Sequence, residues 1–512
     1  MNTQKPPRQR VHRAPATHPP GRRWRRAALP LLLAGAGLTA TASVQAHWLP
    51  ENDARVRHDV QLLVDAGAIT GALGTWPLPR QALAGVAARP QPPADLNPQQ
   101  AAAWHRLHRQ LARTEGWHGE LRARGAAGES EPPAQLAWYG HANPQGSQVD
   151  VAVGYQGDRL AARLSGQWVE DPADDKDFRA DGSYLAAHLG NWIISAGAID
   201  HYWGPGWSGS LILGNAARPS PGVAVQRAEP RASDLPVLNW LGPWTLQVFA
   251  NRLESDRVVP RPYFIGGRFA FQPVQRLEVG LSRTAIWDSP HTWRSFGNIA
   301  IGDTNSKGRD TTADQMAGID LRFSSPDHRL PWAAYLQYIG EDEAGGIPTK
   351  HIGLFGLETW GALPNDASYR VFLEYTDTTA RFWSSRKRFA TAYESSSLPT
   401  SYRYRDRPMG YATDNDSRLV TLGGQYLAPN GHSAHLKFQG GTLNRGDRMR
   451  MPGGGNRIAP RKLRLLDLEG EYRWPWLAGE VSLGAGIARL DPLDRGSVDW
   501  EPRGWAGYEW RF

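Results

Sequence analysis

The sequence predicts an all-β transmembrane barrel of about eighteen antiparallel strands behind a small N-terminal α-helical segment. Three observations predict it. From Gln135 to Phe512, apolar residues recur with a period of two. The segments that carry this period are joined by short and long connections in alternation. The chain opens like an exported protein, and beyond residue 46 it has no apolar run near the ~20 residues a transmembrane helix needs.

Residues 1–46 hold eight basic residues, from Lys5 to Arg26, and no acidic one, and they run into the apolar stretch Ala27–Ala40. Val44 and Ala46 have the small-residue spacing of a signal-peptidase site, so cleavage is expected after Ala46. A membrane anchor fits less well, because the run is short and Pro30 interrupts it. The same residues carry the whole excess charge. Removing those eight from 58 Lys+Arg leaves 50 against 50 Asp+Glu, so composition gives no reason to expect nucleic acid as a partner. The absence of Cys excludes a disulfide framework, a thiolate metal site and a cysteine nucleophile.

Residues 47–134 are expected to be a periplasmic helical segment and linker. Val56, Val60, Leu63 and Val64 share one helical face, and that pattern stops at Gly67. A second helix is expected from Asn97-Pro98, with Trp104, Leu107, His108 and Leu111 as its stripe. His105 and His108 read as helix-face residues rather than metal ligands. Residues 121–134 read as linker.

Residues 135–512 are expected to be the barrel. Its strands are read at 135–143, 148–156, 159–170, 183–189, 192–199, 222–228, 243–252, 262–272, 275–286, 314–323, 332–341, 350–359, 368–377, 417–428, 432–443, 462–474, 478–490 and 503–512. Leu354-Phe355 breaks the alternation locally. Connections from even to odd strands are mostly short, as at Gly190-Asn191, with 229–242 as the exception. The long ones, 200–221, 287–313, 378–416 and 444–461, run from odd to even strands. Short periplasmic turns and long external loops produce this asymmetry; a soluble sandwich has no cause for it. Tyr508, Trp510 and Phe512 alternate on the last strand and resemble the signal read by the outer-membrane barrel assembly machinery.

The most unusual stretch is Asp200-His201-Tyr202-Trp203-Gly204-Pro205-Gly206-Trp207-Ser208-Gly209-Ser210-Leu211-Ile212-Leu213, continuing through Gly214-Asn215-Ala216-Ala217-Arg218-Pro219. With Tyr338–Gly346, Glu374–Thr379, Tyr402–Arg405, Gly410–Asp416 and Arg57–Leu63, it resembles the capsule assembly Wzi family. The triplet Gly214-Asn215-Ala216 departs from the family's Ser-Asn-Asn-like one. The resemblance implies an outer-membrane lectin that helps attach capsular polysaccharide, built as an eighteen-stranded barrel with a small periplasmic helical bundle. It implies neither catalysis nor a cofactor.

The same residues admit two physical readings. In one, Tyr202, Trp203 and Trp207 offer ring faces to sugar C–H groups, and Asn215 and Arg218 offer polar forks to hydroxyls. In the other, this segment is a plug that fills the lumen. Tyr402, Arg403, Tyr404 and Arg405 interleave rings with guanidinium groups in a second candidate glycan site. Glu341, Asp342 and Glu343 form an acidic loop tip without EF-hand spacing. Asp320 and Glu374 are a candidate glycosidase pair only if folding brings them together. Ser208 lies in Gly206-Trp207-Ser208-Gly209, which is not a G-x-S-x-G elbow. Three classes therefore compete: a polysaccharide-binding lectin, a passive channel for glycans or solutes, and an outer-membrane hydrolase. The first is preferred, with polysaccharide, outer-membrane lipid and the assembly machinery as partners.

If Phe512 is the assembly signal, its deletion lowers the amount of heat-modifiable protein in outer membranes without impairing export. Normal insertion of the truncated chain would assign the signal elsewhere.

Overall fold

The protein is described by a computed structural model covering residues 48–512, except 50–51, 112–115, 129–131, 142–145, 158, 173, 290, 302–311, 326–329, 345–346, 448–453 and 495. The expected signal peptide lies outside the described residues. Eighteen strands form a closed antiparallel barrel. They are β1 (Gly116–Gly128), β2 (Gln148–Gln156), β3 (Leu160–Val169), β4 (Tyr184–Leu189), β5 (Trp192–Gly197) and β6 (Gly222–Arg227). Then come β7 (Trp244–Arg252), β8 (Tyr263–Val274), β9 (Leu277–Ser289), β10 (Thr312–Ser324), β11 (Trp332–Ala344) and β12 (Ile347–Ala362). The last six are β13 (Ser368–Asp377), β14 (Arg418–Leu427), β15 (Ser433–Leu443), β16 (Leu463–Trp476), β17 (Gly479–Pro492) and β18 (Asp499–Arg511). Each pairs with its sequence neighbours, and β1 closes the ring on β18 from Glu120↔Arg511 to Gly128↔Arg503.

The wall is inverted relative to a soluble protein. Val149, Val151, Val153 and Tyr155 of β2 point outward and are exposed, as are Leu164, Leu185, Leu357, Leu436 and Leu483. Buried on the inner face are Gln247, Arg268, Asp320, Arg322, Gln337, Glu358, Arg370 and Glu374. An apolar exterior over a polar interior is the pattern of a lipid-embedded barrel. Several of the inner charges are paired: Arg268 grips Asp320 at 2.5 and 2.9 Å, and Arg503 reaches Asp467 and Glu469 at 2.7 and 2.8 Å. Leu354 turns inward onto the luminal core and Phe355 outward, which explains the local break in alternation.

The first strand differs from the expectation. Residues 116–128 are β1, and 135–143 is not a strand. The outward row of β1 is Trp117, Gly119, Leu121, Ala123, Gly125 and Ala127, too small on average to show as an apolar period. Its inward Glu120, Arg122 and Arg124 gave the segment the polarity of a linker. Residues Ala134–Tyr139 instead fold inward and are buried, Tyr139 completely.

Helices α1 (Ala54–Asp65), α2 (Ala84–Ala88) and α3 (Pro98–Leu111) precede the barrel. Asp53 caps α1 by accepting from the backbone N–H of Arg55 and Val56. Asn97 and Gln100 exchange side-chain bonds at 2.9 and 3.0 Å in a capping box at the start of α3. Arg106 of α3 holds Asp59 of α1 at 2.7 Å, and Trp104, Leu107 and Leu111 share a core with Val60 and Leu63. The segment expected to be periplasmic helix and linker does not stand apart from the barrel. Every residue of α1 from Val56 to Asp65 is buried, and its partners are inward-facing wall residues at the short-turn end. Asp65 takes both Nη atoms of Arg322 at 2.7 and 2.8 Å, and His58 meets Ser368 at 3.1 Å and Arg370 at 3.1 Å. The reason is chemical: a polar wall interior needs polar partners, and α1 supplies them along its face.

Replacing Arg322 by Met leaves Asp65 buried without its cation, a loss of about 3–5 kcal/mol. Protease cleavage within 52–111 should then rise while heat-modifiable mobility of the barrel persists. An unchanged cleavage rate would show that α1 is held by other contacts.

Candidate functional site

The connection from β5 to β6, residues 198–221, enters the lumen from the long-connection end and reaches α1. There Tyr202 and Trp203 pair antiparallel with Trp76 and Thr75. Gly204 follows at φ +132°, where a Cβ would strike Gln337 at 2.6 Å, and a Cβ at Gly206 would meet Gly209 O at 2.4 Å. Glycine is therefore required at both positions by backbone geometry and close approach. Arg57 of α1 donates to the carbonyls of Pro205 and Gly206, each at 2.7 Å. Its guanidinium lies against the rings of both Trp207 and Tyr139, 4.3 Å from each centroid.

The wall holds the same turn from the other side. Glu374 accepts from the backbone N–H of Trp207 at 2.6 Å and of Ser208 at 2.9 Å, and from Tyr335 Oη at 2.6 Å. Glu358 accepts from Trp207 Nε1 at 2.9 Å, and Gln247 from Trp203 Nε1 at 2.5 Å. Gln337 bridges Trp203 O and the N–H of Leu211 at 2.9 and 2.7 Å.

The sugar-stacking expectation for Tyr202, Trp203 and Trp207 is corrected by this geometry. They are 2%, 0% and 1% exposed. Trp207 has Arg57 on its ring and Phe372 stacked 6.0 Å away, so no face is open to a ligand. Asn215 is also buried, donating to Asn52 Oδ1 at 3.1 Å and Trp138 O at 2.9 Å. Of the two readings left open by the sequence, the plug is the one these residues form.

The second candidate cluster splits. Tyr402 is buried, bonding Ile212 O at 2.7 Å and Thr284 at 2.6 Å. Arg403 is buried in the same connection, 378–417, with Asp414 at 2.8 and 2.9 Å and Glu394 at 2.6 Å. Tyr393 Oη→Leu211 O at 2.7 Å and Gly214 N→Met409 O at 2.8 Å complete a seam between the two long connections. Tyr404 is buried against the same core, whereas Arg405 is partly exposed over its ring, 5.4 Å from the centroid.

Arg218 and Arg405 meet at the rim. Arg218 grips Asp181 at 2.7 and 2.9 Å and Asp174 at 2.5 Å; Arg179 reaches Asp174 at 2.9 Å, and Arg405 lies 3.9 Å from it. Burial opposes the charge on Asp174, but Arg179 and Arg218 outweigh it and hold the carboxyl below the usual carboxylate range. Asp181 and Arg179 also line a cavity of about 400 Å³ between the plug and the wall around β1–β3 and β15–β18. Its lining sets charged side chains, among them Glu120, Arg122, Arg163, Glu480 and Glu509, beside apolar ones such as Trp48, Leu49 and Trp138. Asp200 faces the same space, and burial, then the neighbouring Asp181, pushes its carboxyl up to about 7. Much of the cavity lining comes from strand interiors, where sequence offers no cue beyond polar alternation.

Other candidate chemistry is accounted for. Asp320 is committed to Arg268, and Glu374 to the motif turn, so they do not form a hydrolytic pair. Ser208 Oγ bonds Glu374 and Tyr411 rather than a histidine. His108 Nδ1 lies 2.9 Å from Val86 O. Among the described residues no group of three acidic or histidine side chains could hold a metal ion; the side chains of Asp342 and Glu343 lie outside them. Tyr508, Trp510 and Phe512 sit at the short-turn end, with the Trp510 and Phe512 rings 4.4 Å apart and Phe512 paired through its backbone to Gly119.

The model of the family described as capsule assembly protein Wzi matches residues 122–495. A Klebsiella pneumoniae protein, described as an uncharacterized 55.8 kDa protein in the cps region, is 32% identical over 336 residues. That match covers 64% of this chain and spans 65% of the length of that relative. Among solved structures the chain is similar to Wzi of Escherichia coli, with a TM-score of 0.78 and 25% identity over 90% of this chain and 99% of that one. That protein is described as an outer membrane protein involved in group 1 capsule assembly and as a carbohydrate-binding β-barrel.

Trp207→Ala removes a ring enclosed on both faces and should cost about 3–5 kcal/mol of plug stability. The variant should expose 198–221 to hydrogen exchange while the strands stay protected. Unchanged exchange in 198–221 would show that the ring does not hold the plug.

Proposed function

Because the chain belongs to the capsule assembly protein Wzi family, we propose that it is an outer-membrane lectin that binds capsular or related extracellular polysaccharide and helps hold it at the cell surface. The observation that carries this reading is the rim where three separate connections are tied together through Asp174, Arg179, Arg218 and Arg405. Long connections elsewhere on a barrel are mobile surfaces. Here two of them are anchored to each other and to the wall by buried bonds, which pre-organises their outer side for a ligand. Guanidinium groups suit both sugar hydroxyls and acidic sugars, and a repeating polymer multiplies a weak contact over many barrels.

The long-connection end faces outward in this reading, and the helices face the periplasm after export by the residue 1–46 signal. The Tyr508, Trp510 and Phe512 row then lies at the periplasmic rim, where the assembly machinery would meet it. A second reading, a passive channel, is favoured by the charged cavity beside the plug. Open single-channel conductance of the purified protein in a planar bilayer would support the channel; a closed barrel supports the lectin.

The double variant Arg218→Gln, Arg405→Gln should lower the ratio of cell-bound to released polysaccharide severalfold, with total polymer unchanged. Heat-modifiable mobility checks that the barrel is folded. Wild-type retention by a folded double variant would remove the rim from the binding site.

A further inference from the structure

Parts of two long connections pack on the outer face of the wall, at 293–301 and at 380–388. After β9 the chain forms helix α4 (Trp293–Ile301). Ile299 of that helix is buried against Ala285 and Trp287, with Tyr263, Ile265 and Ala313 beside it. All five belong to the outward rows of β8–β10, so α4 lies on the outside of the wall. Trp293 at its start is 90% exposed.

The first part of the 378–417 connection does the same on the neighbouring strands. Residues 380–388 fold as a flap, closed by Arg388 N→Ala380 O at 2.9 Å and joined to β12 by Arg381 N→His351 O at 2.9 Å. Phe382 covers Gly353, where a Cβ would lie 2.5 Å from its ring, and it packs beside Phe355. Trp383 lies 5.4 Å from Tyr338 and 5.8 Å from His351, yet stays 56% exposed. Those partners are outward-facing residues at the long-connection end of the apolar belt.

The flap sequence Ala-Arg-Phe-Trp-Ser-Ser-Arg-Lys-Arg carries Arg381, Arg386, Lys387 and Arg388 and no acidic residue. Among the described residues none of the four is ion-paired to a carboxylate. Arg381 and Arg388 lie near enough to Lys350 for their charges to act on it, as does the buried Glu341. Arg252 adds another outward cation, stacked 3.9 Å from the ring of Tyr263.

We propose that this outward aromatic and basic collar, centred on residues 380–388, binds the phosphorylated headgroup of a glycolipid in the outer leaflet. The argument is one of depth and charge. Rings anchored on the wall at the edge of the apolar belt sit where acyl chains meet headgroups. Flexible cations just beyond them, with no carboxylate to pair with, reach the layer where lipid phosphates lie. A ligand in the lumen could not use this surface, because it faces away from the plug. The inference rests on the outward orientation of the long-connection end, but it does not need the chain to bind polysaccharide.

The test is native mass spectrometry of the full-length protein in mild detergent, titrated with bis-phosphorylated lipid A and with the dephosphorylated lipid. Wild type should favour the phosphorylated lipid at least tenfold. Arg381→Gln, Arg386→Gln, Lys387→Gln and Arg388→Gln together should abolish that preference while keeping heat-modifiable mobility. Trp383→Ala, with every charge retained, should weaken the same lipid severalfold. No preference in wild type, or an undiminished preference in the quadruple variant, overturns the proposal. Competition of the bound lipid by millimolar inorganic phosphate would also overturn it, reducing the patch to a simple anion site. So would a quadruple variant that loses a soluble acidic polysaccharide while its lipid binding stays intact. Failure of the polysaccharide reading would show instead as normal capsule retention in the rim variant, with this lipid preference unaffected.

Discussion

The guanidinium of Arg57 is the interaction on which the interior depends. It joins a helix from before the barrel to a turn that arrives from the opposite end of it. Its two bonds to the carbonyls of Pro205 and Gly206 fix the turn's height in the lumen. Its contact with both Trp207 and Tyr139 adds a third connection, residues 132–141, to the same point. A planar group with several donors and two stacking faces can serve carbonyls and rings together; a lysine could satisfy only part of that set. The turn then presents its outward N–H groups to Glu374 and its indole to Glu358, so the wall and α1 hold it from both sides.

An eighteen-stranded wall makes that interior necessary. Its lumen is too wide for wall side chains to fill across the middle. The inner face carries charges that in isolation would be costly to bury. Pairs such as Arg268–Asp320 and Arg322–Asp65 solve part of the problem within the wall and part by recruiting α1. The two long connections fill what remains, and they carry apolar groups inward to do it. Leu211, Ile212, Tyr393 and Tyr402 form with Trp203 and Trp207 a core of ordinary protein packing inside a polar tube. The charged cavity on the β1–β3 side is the part of the lumen this core leaves uncovered.

Strand alternation was legible because lipid on one side and polar groups on the other impose opposite demands on successive residues. Where both demands weakened, the reading failed. In β1 the outward row is Gly and Ala beyond Trp117 and Leu121, so the period vanished and its arginines suggested a linker. Residues 135–143 showed the opposite error: Leu136 and Trp138 alternate convincingly but are buried in the plug. The helix cap at Asn97 was local and readable, while the burial of α1 inside the wall was not, since it depends on Arg322 and Arg370 more than 250 residues away. The rings of the 202–207 motif could not be assigned to plug or ligand from sequence, because both uses ask for aromatics, glycines and a stiff turn.

That ambiguity resolves into a division of labour between two kinds of residue. The residues of the WGPGW stretch are enclosed, and what they specify is the position of a plug. Arg218 lies in the same connection but only eleven residues after Trp207, where the chain has climbed back to the rim. Its charge meets Asp174 and Asp181 there, beside Arg405 from the other long connection. A buried core of fixed geometry thus sets the spacing of the charged groups that tie three connections at the rim. The core of the plug and the charged rim cluster occupy one continuous segment, separated by depth rather than by sequence.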